Sequence, residues 1–370
     1  MTVKENILQF FGSPNLRYPN NIFDPDKYIF DFYLSQTIPN MEIKVLKNVL
    51  ISPYGTIYEK FSILKECTPY YFAPDHEYLP TFRRTHINAG GKLFGGSIER
   101  FIRHFIIFER TNIQETHFWC SDQYSPGYYH WLCETLPRIY LLTLLSFENP
   151  KVILPGSTTK NVAFIRESLS LLFPNIDFSF TKNRNVLNLR ELVWISQMGK
   201  PYQFNSLLMT EFRGFIRSII KVDCTCPRKR LYVSRKKAIR RKILNENEVE
   251  SVLDKFGFKT VCLEDYSFEE QIKMFSQSDI VIGIHGAGLS NMIFMPENSF
   301  VLELQRRMPY SSCFYSLANA LDFNYYYLFC KPDSKEVDER LDNCNLYVDL
   351  NALESLVENI VSDCTAKKNI

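Results

Sequence analysis

From residue 230 onward the sequence alternates between short apolar runs and longer amphipathic ones. "RLYVSR", "FKTVCLED", "IVIGIHG", "SFVLELQ" and "NYYYLFC" have strand length and strand composition. Between them stand "NENEVESVLDKFG", "SFEEQIKMFSQSD", "LSNMIFM" and "SSCFYSLANALD", which read as helices, and "NALESLVENIVSD" closes the series. This order predicts right-handed βαβ units and a doubly wound parallel sheet. Such a sheet takes its ligands outside the carboxyl ends of its strands. Two groups fall there: Ser234-Arg235 after the first of these strands, and His285-Gly286-Ala287-Gly288 after the third.

The first half is less regular. "MEIKVLKNVLISP" and "YGTIYEKFSIL" are β-like, and a helical pattern opens near Ser125 and runs to about Leu145. "KVILPG" (strand), "NVAFIRESLSLLF" (helix), "ELVWISQ" (strand) and "EFRGFIRSII" (helix) follow. The polar, basic "KVDCTCPRKR" then marks a linker near 221–228. A chain of 370 residues suits two domains. The expected division is 1–220, 221–345 and a C-terminal helix over 346–370.

Charge and cysteine usage exclude several classes. With 43 Lys and Arg against 41 Asp and Glu, net charge is +2, so no broad basic field points to nucleic acid. The most apolar stretch, "IYLLTLLSF", is too short to cross a membrane, and the N-terminus carries no long apolar run. The expectation is a cytoplasmic protein whose ten cysteines are reduced thiols. Cys224 and Cys226 form a Cys-x-Cys pair, but no second close pair completes a zinc site.

The candidate site residues follow from chemistry. Gly286 and Gly288 permit a tight turn and close approach of a ligand to the backbone, and a short helix over Leu289–Met295 would aim its N-terminus at an anion. His285 either donates a hydrogen bond to a phosphate or sugar or plugs the turn. Arg235, Arg240 and Arg241 follow a strand, and a guanidinium suits phosphate oxygens better than an ammonium does. Lys236, Lys237 and Lys242 read as solvated surface charge. In "YSPGYYHWLCETLPR", Ser125 fits an N-cap and Pro126 the first helical position. His130, Glu134 and Arg138 then share one helix face, with Trp131, Leu132 and Leu136 in the core. A carboxylate one turn from an imidazole orients and polarises a base. Glu303, inside an apolar strand, needs a partner, which ribose hydroxyls or an arginine would supply.

Taken together, "YYHWLCETLPR", "YVSRKKAIRRKILNENE" and "HGAGLSNMIFMP" followed by "ELQ" resemble glycosyltransferase family 61 over about Tyr128 to Gln305. The resemblance implies a GT-B architecture, two Rossmann-like domains facing each other across a cleft, and inverting transfer from a nucleotide sugar, UDP-linked by expectation. It implies donor binding by Ser234, Arg235, Arg240, Asn245, Glu246, His285, Gly286, Ala287, Gly288 and Glu303, and catalysis by His130 and Glu134. The acceptor would be a glycan or lipid-linked glycan. A bacterial-type polysaccharide-assembly member fits best, with peripheral membrane contact left open. The only Asp-x-Asp, Asp24-Pro25-Asp26, lies far from these motifs, so neither metal nor cofactor is expected. Two other classes compete: a hydrolase, which lacks any Gly-x-Ser-x-Gly elbow here, and an inactive nucleotide-sugar or glycan binder.

Overall fold

The computed structural model describes residues 16–35, 41–53, 55–59, 62–64, 106–122, 124–145, 147, 149–199, 202–221, 228–307, 311–333 and 344–368. The chain divides into two compact units, one within 39–201 and one that joins 11–38 to 202–370. Most of the expected linker, 222–227, lies outside the described residues, as does the Cys224–Cys226 pair.

The first unit is built on a mixed sheet. Its strands are β1 (Ile43–Ile51), β2 (Ile57–Glu59), β3 (Ser62–Ile63), β4 (Glu109–Ile113), β5 (His117–Trp119), β6 (Lys151–Leu154), β7 (Asp177–Phe180) and β8 (Asn185–Ile195). The order is β3-β2-β1-β8-β5-β6-β7, with β4 also beside β8. β1 runs antiparallel to β8, whereas β4 and β5 lie parallel to it. β5, β6 and β7 continue in parallel. The Rossmann-like first domain expected from the sequence thus carries a mixed sheet, parallel from β8 through β7 and antiparallel from β8 through β3. In the antiparallel part, β1 pairs with β2 and β2 with β3, segments close in sequence that pair without a crossover. Val49, Ile51, Trp119, Ile153, Leu192 and Trp194 pack one core of this unit.

The second unit is the regular one. Its strands are β9 (Lys229–Val233), β10 (Phe258–Val261), β11 (Ser278–Ile284), β12 (Phe300–Gln305) and β13 (Asn324–Phe329). All pair in parallel, in the order β10-β9-β11-β12-β13. Every residue of β11 and β12 is buried, which is why both read as unbroken apolar runs. Helices Glu246–Asp254 and Leu350–Lys368 cover one face through Val249, Val252, Leu253, Leu353, Val357 and Ile360. The chain leaves the first of these helices at Gly257, whose φ of +71° is the left-handed turn that glycine adopts without cost. Helix Phe268–Ser276 opens with a full capping box, Ser267 and Glu270 satisfying each other's backbone N–H.

An extended segment from the other end of the chain lines the free edge of β13. The Asn20 N–H donates to the Tyr325 carbonyl at 2.8 Å, and the Asn21 side chain both donates to the Tyr327 carbonyl and accepts from its N–H. Asp24-Pro25-Asp26 forms a 3-10 turn within that segment. Asp26 is buried, accepting from the Tyr327 hydroxyl at 2.8 Å and pairing with Arg307. Among the described residues no helix is long and apolar enough to cross a membrane, and the seven described cysteines are free thiols.

Candidate functional site

The order of the second sheet reverses direction between β9 and β11, and the crevice at such a switch point is where doubly wound sheets place ligands. Arg235 leaves the end of β9 and His285-Gly286 the end of β11, so the topology brings two separate sequence motifs to one spot. The Arg235 guanidinium is held on two sides. Its Nε donates to the Arg241 carbonyl at 3.2 Å and one terminal nitrogen to the Arg240 carbonyl at 3.3 Å. Arg241 adopts a left-handed φ of 58°, a bend within the loop that delivers both carbonyls. The other terminal nitrogen lies against Gly286, where a Cβ would stand 2.6 Å from it. No acceptor for that nitrogen exists among the described residues.

Gly286 is therefore needed for a reason the sequence did not disclose. Its φ of 172° is ordinary extended backbone, open to any residue; what it supplies is room for Arg235. Gly288 does the same for Leu263 and Val233, at 3.0 and 3.1 Å from a built Cβ. The helix expected over Leu289–Met295 is a 3-10 helix that begins earlier, Ala287–Phe294. Its first N–H groups lack partners in the helix itself, as at any helix start.

The electrostatics favour an anion. Burial first, and then the charge of Arg241, pull the pKa of Arg235 below the ordinary guanidinium value, with Glu264 opposing and Arg240 adding to the effect. The group stays charged, so a guanidinium is held beside Gly286. Lys236 and Lys237 differ, since Glu250 and Asp265 pair with them.

The remaining expected donor residues hold the framework around this point. The Ser234 hydroxyl accepts from the Lys236 N–H. Asn245 brackets Val348, donating to its carbonyl and accepting from its N–H. Glu246 accepts from the buried Tyr232 hydroxyl at 3.0 Å. Arg240 is exposed and reaches the cluster through its carbonyl. Glu303 is 0% exposed, and its partners among the described residues include no arginine: one oxygen accepts from His285 Nδ1 at 2.5 Å and the other from the Tyr325 hydroxyl at 2.5 Å. The edge of the Phe314 ring packs near the His285 imidazole.

In the first unit, a helix spans 128–144, after β5 in the chain. That helix has an α turn at Tyr128–His130, a π turn at Trp131–Thr135 and an α segment at Leu136–Leu144. It starts later than expected, with Gly127 at the N-cap. Ser125 is occupied otherwise: its hydroxyl accepts from the Asp122 N–H and contacts Thr135 at 2.9 Å, which ties the loop to the helix. Trp131, Leu132 and Leu136 are fully buried, as their positions predict.

His130 Nδ1 donates to Glu134 at 2.8 Å, and Tyr124 stacks on the imidazole. Burial draws the His130 pKa down, but the charge and hydrogen bond of Glu134, helped by Asp122, outweigh it, and the net shift is upward from 6.5. Arg138 is no part of a wet stripe. It is 2% exposed, donates to the Glu134 carbonyl and pairs with Asp122, itself 4% exposed, at 2.9 Å. Asp122 also accepts from the Tyr124 N–H and from Gln197. Sequence reasoning missed Asp122 and Tyr325. The first lies three residues past β5 and the second in a run of three tyrosines, so neither stood out in the sequence.

Residues 128–302 match the family model of glycosyltransferase 61. The chain is similar to the EGF domain-specific O-linked N-acetylglucosamine transferase of Drosophila melanogaster, 33% identical over 106 residues that make up 27% of this chain and 20% of that protein. Its counterpart from Gallus gallus is 37% identical over 90 residues, 23% of this chain and 17% of that protein. Alpha-1,3-arabinosyltransferase XAT2 of Oryza sativa subsp. japonica is 28% identical over 96 residues, 25% and 16% respectively. The chain thus spans about a fifth of the length of the curated relatives it matches.

Proposed function

We propose that this chain is a family 61 glycosyltransferase that transfers a sugar, with inversion, from a UDP-sugar to a glycan or glycolipid acceptor. The observation that carries the reading is Arg235. Its guanidinium is clamped at two nitrogens and laid on Gly286, with the third nitrogen open beside the start of a 3-10 helix. As the bond from the anomeric carbon to the phosphate oxygen breaks, its electron pair passes to the leaving diphosphate. A preorganised cation and backbone N–H groups stabilise that developing charge without a metal. The family's GT-B division of labour is part of the reading, with the donor on the second unit and the base on the first. His130, oriented by Glu134, takes the proton from the acceptor hydroxyl as it attacks the anomeric carbon.

Two measurements test this. UDP and a UDP-sugar raise the melting temperature, because only the folded site binds them, and EDTA leaves the shift intact. A shift that vanishes with EDTA overturns the metal-free step. UDP release from donor and acceptor together then separates an enzyme from a binder, since a binder gives the thermal shift and no release.

A further inference from the structure

We infer that Glu303 and Tyr325 are positioning residues: a buried relay that fixes His285 with Nδ1 protonated and presents Nε2 as the acceptor for a hydroxyl of the bound nucleotide. This deepens the donor-site reading above and rests on it for the ligand, though not for the relay itself.

The argument starts from accessibility. Glu303 is 0% exposed, so no ribose or phosphate reaches its carboxylate, whereas the side chain of His285 is 16% exposed. Each Glu303 oxygen is spoken for, one by His285 Nδ1 and one by the Tyr325 hydroxyl, both at 2.5 Å. Tyr325 is pinned in turn, its hydroxyl within 3.5 Å of Gln305 Nε2 and its ring edge-on to Tyr315. Glu303, Gln305 and Tyr325 rise from neighbouring strands in fixed register, β12 and β13, and His285 is the residue directly after β11, whose N–H donates to the Leu304 carbonyl. The imidazole therefore has little freedom to rotate.

The consequence is a choice of tautomer. A carboxylate facing Nδ1 accepts from it, so of the two tautomers the geometry selects the one with the proton on Nδ1 and the lone pair on Nε2. No group among the described residues pairs with Nε2. His285 adjoins Gly286, on which the open nitrogen of Arg235 rests. An anion there is served by Arg235, while a lone pair requires an O–H donor. A nucleotide offers one in its ribose hydroxyls and a sugar donor offers others. A buried carboxylate that acts through an imidazole resembles the outer partners that orient working histidines elsewhere, whose removal costs about tenfold to a hundredfold.

The test has an arm that needs no ligand. Nitrogen-15 spectra of the histidine rings, with the His285 signals assigned by their loss in His285→Asn, should show the Nδ1-protonated tautomer in the wild type and a mixture in Glu303→Gln. Tyr325→Phe, which deletes one hydroxyl and keeps the ring, should show an intermediate shift. Unchanged ring signals in both variants overturn the relay.

In the second arm, calorimetry compares UDP with its 2′-deoxy and 3′-deoxy analogues. The wild type should prefer UDP over one deoxy analogue by about tenfold, and Glu303→Gln should erase that preference while retaining the response to phosphate. If both deoxy analogues bind as UDP does, deoxygenated UDP-sugars decide whether the hydroxyl belongs to the transferred sugar, and equal binding of those too overturns the hydroxyl role. If the wild type binds no UDP, the donor reading falls together with the hydroxyl partner, while the ring spectra still decide the relay.

Discussion

Arg235 carries the highest stakes of any single side chain, because its contact should strengthen as charge builds on the leaving phosphate. Arg235→Ala should lower kcat/KM by about a hundredfold or more, the scale for losing one donor to a developing anion. Arg235→Lys should recover only part, since an ammonium cannot hold two carbonyls and reach an anion in one plane. Gly286→Ala tests the same contact from the other side. Its Cβ would displace the end of a flexible side chain, so the fold should persist while UDP affinity falls. Normal UDP affinity in that variant would separate Arg235 from the donor.

His130 makes a prediction in pH. Its pKa is raised, so the neutral base forms only above the ordinary value of 6.5, and the acid limb of kcat/KM should lie on the high side of it. Glu134→Gln removes the two largest raising influences and leaves burial, so the limb should move to lower pH. The stability linked to this group has the sign of a raised histidine: present below the unfolded pKa and lost as pH rises through the folded one. Glu134→Gln should therefore cost stability in acid and little in alkali. A limb that stays in place would remove His130 from the chemistry.

At the scale of elements, the helix 128–144 shows what holds the proposed base His130 in place. The pair Asp122–Arg138 is almost without solvent and binds the loop after β5 to the middle of the helix. Removing one partner of such a pair leaves a buried charge and costs about 3–5 kcal/mol. Asp122→Ala should accordingly lower the melting temperature by many degrees, and kcat with it, because Tyr124 and His130 lose their support. Little change in melting would mean that water replaces the carboxylate.

Elements also show what was legible. The strand and helix alternation of 229–330 was readable because burial on both faces gives unbroken apolar runs, and amphipathic helices between them keep their own period. The π turn was not, since nothing in "WLCET" differs from α-helical sequence. Nor was the 3-10 character of Ala287–Phe294, where nearly every side chain is buried and no polar face sets the period. That Arg235 and His285-Gly286 meet at strand ends was legible because topology follows from alternation. Their supports were not, because Tyr325 and Asp122 act through contacts made across strands and loops.

At the scale of the whole molecule, the second unit is assembled from two separated stretches of chain. Its sheet is left with β13 at one edge, and Asn20 and Asn21 satisfy backbone groups there that would otherwise template pairing with another chain. Asn21→Ala removes two of these bonds at once. Hydrogen exchange at the Tyr327 amide should accelerate about tenfold or more, as the edge opens locally without global unfolding. Protection unchanged from the wild type would show that Asn20 and the Asp26 turn hold the edge by themselves.

That clasp also sets a timetable. Residues 16–35 leave the ribosome before the first unit, yet Arg17, Asn21 and Asp26 wait for partners about three hundred positions downstream. Throughout that interval the first unit is synthesised and can close on its own strands, since domains fold as their residues emerge. The second unit cannot close until Tyr327 has been made and the early segment returns to it. Birth order and folding order are thus opposed: a segment made before the first unit finds its place only after that unit is complete.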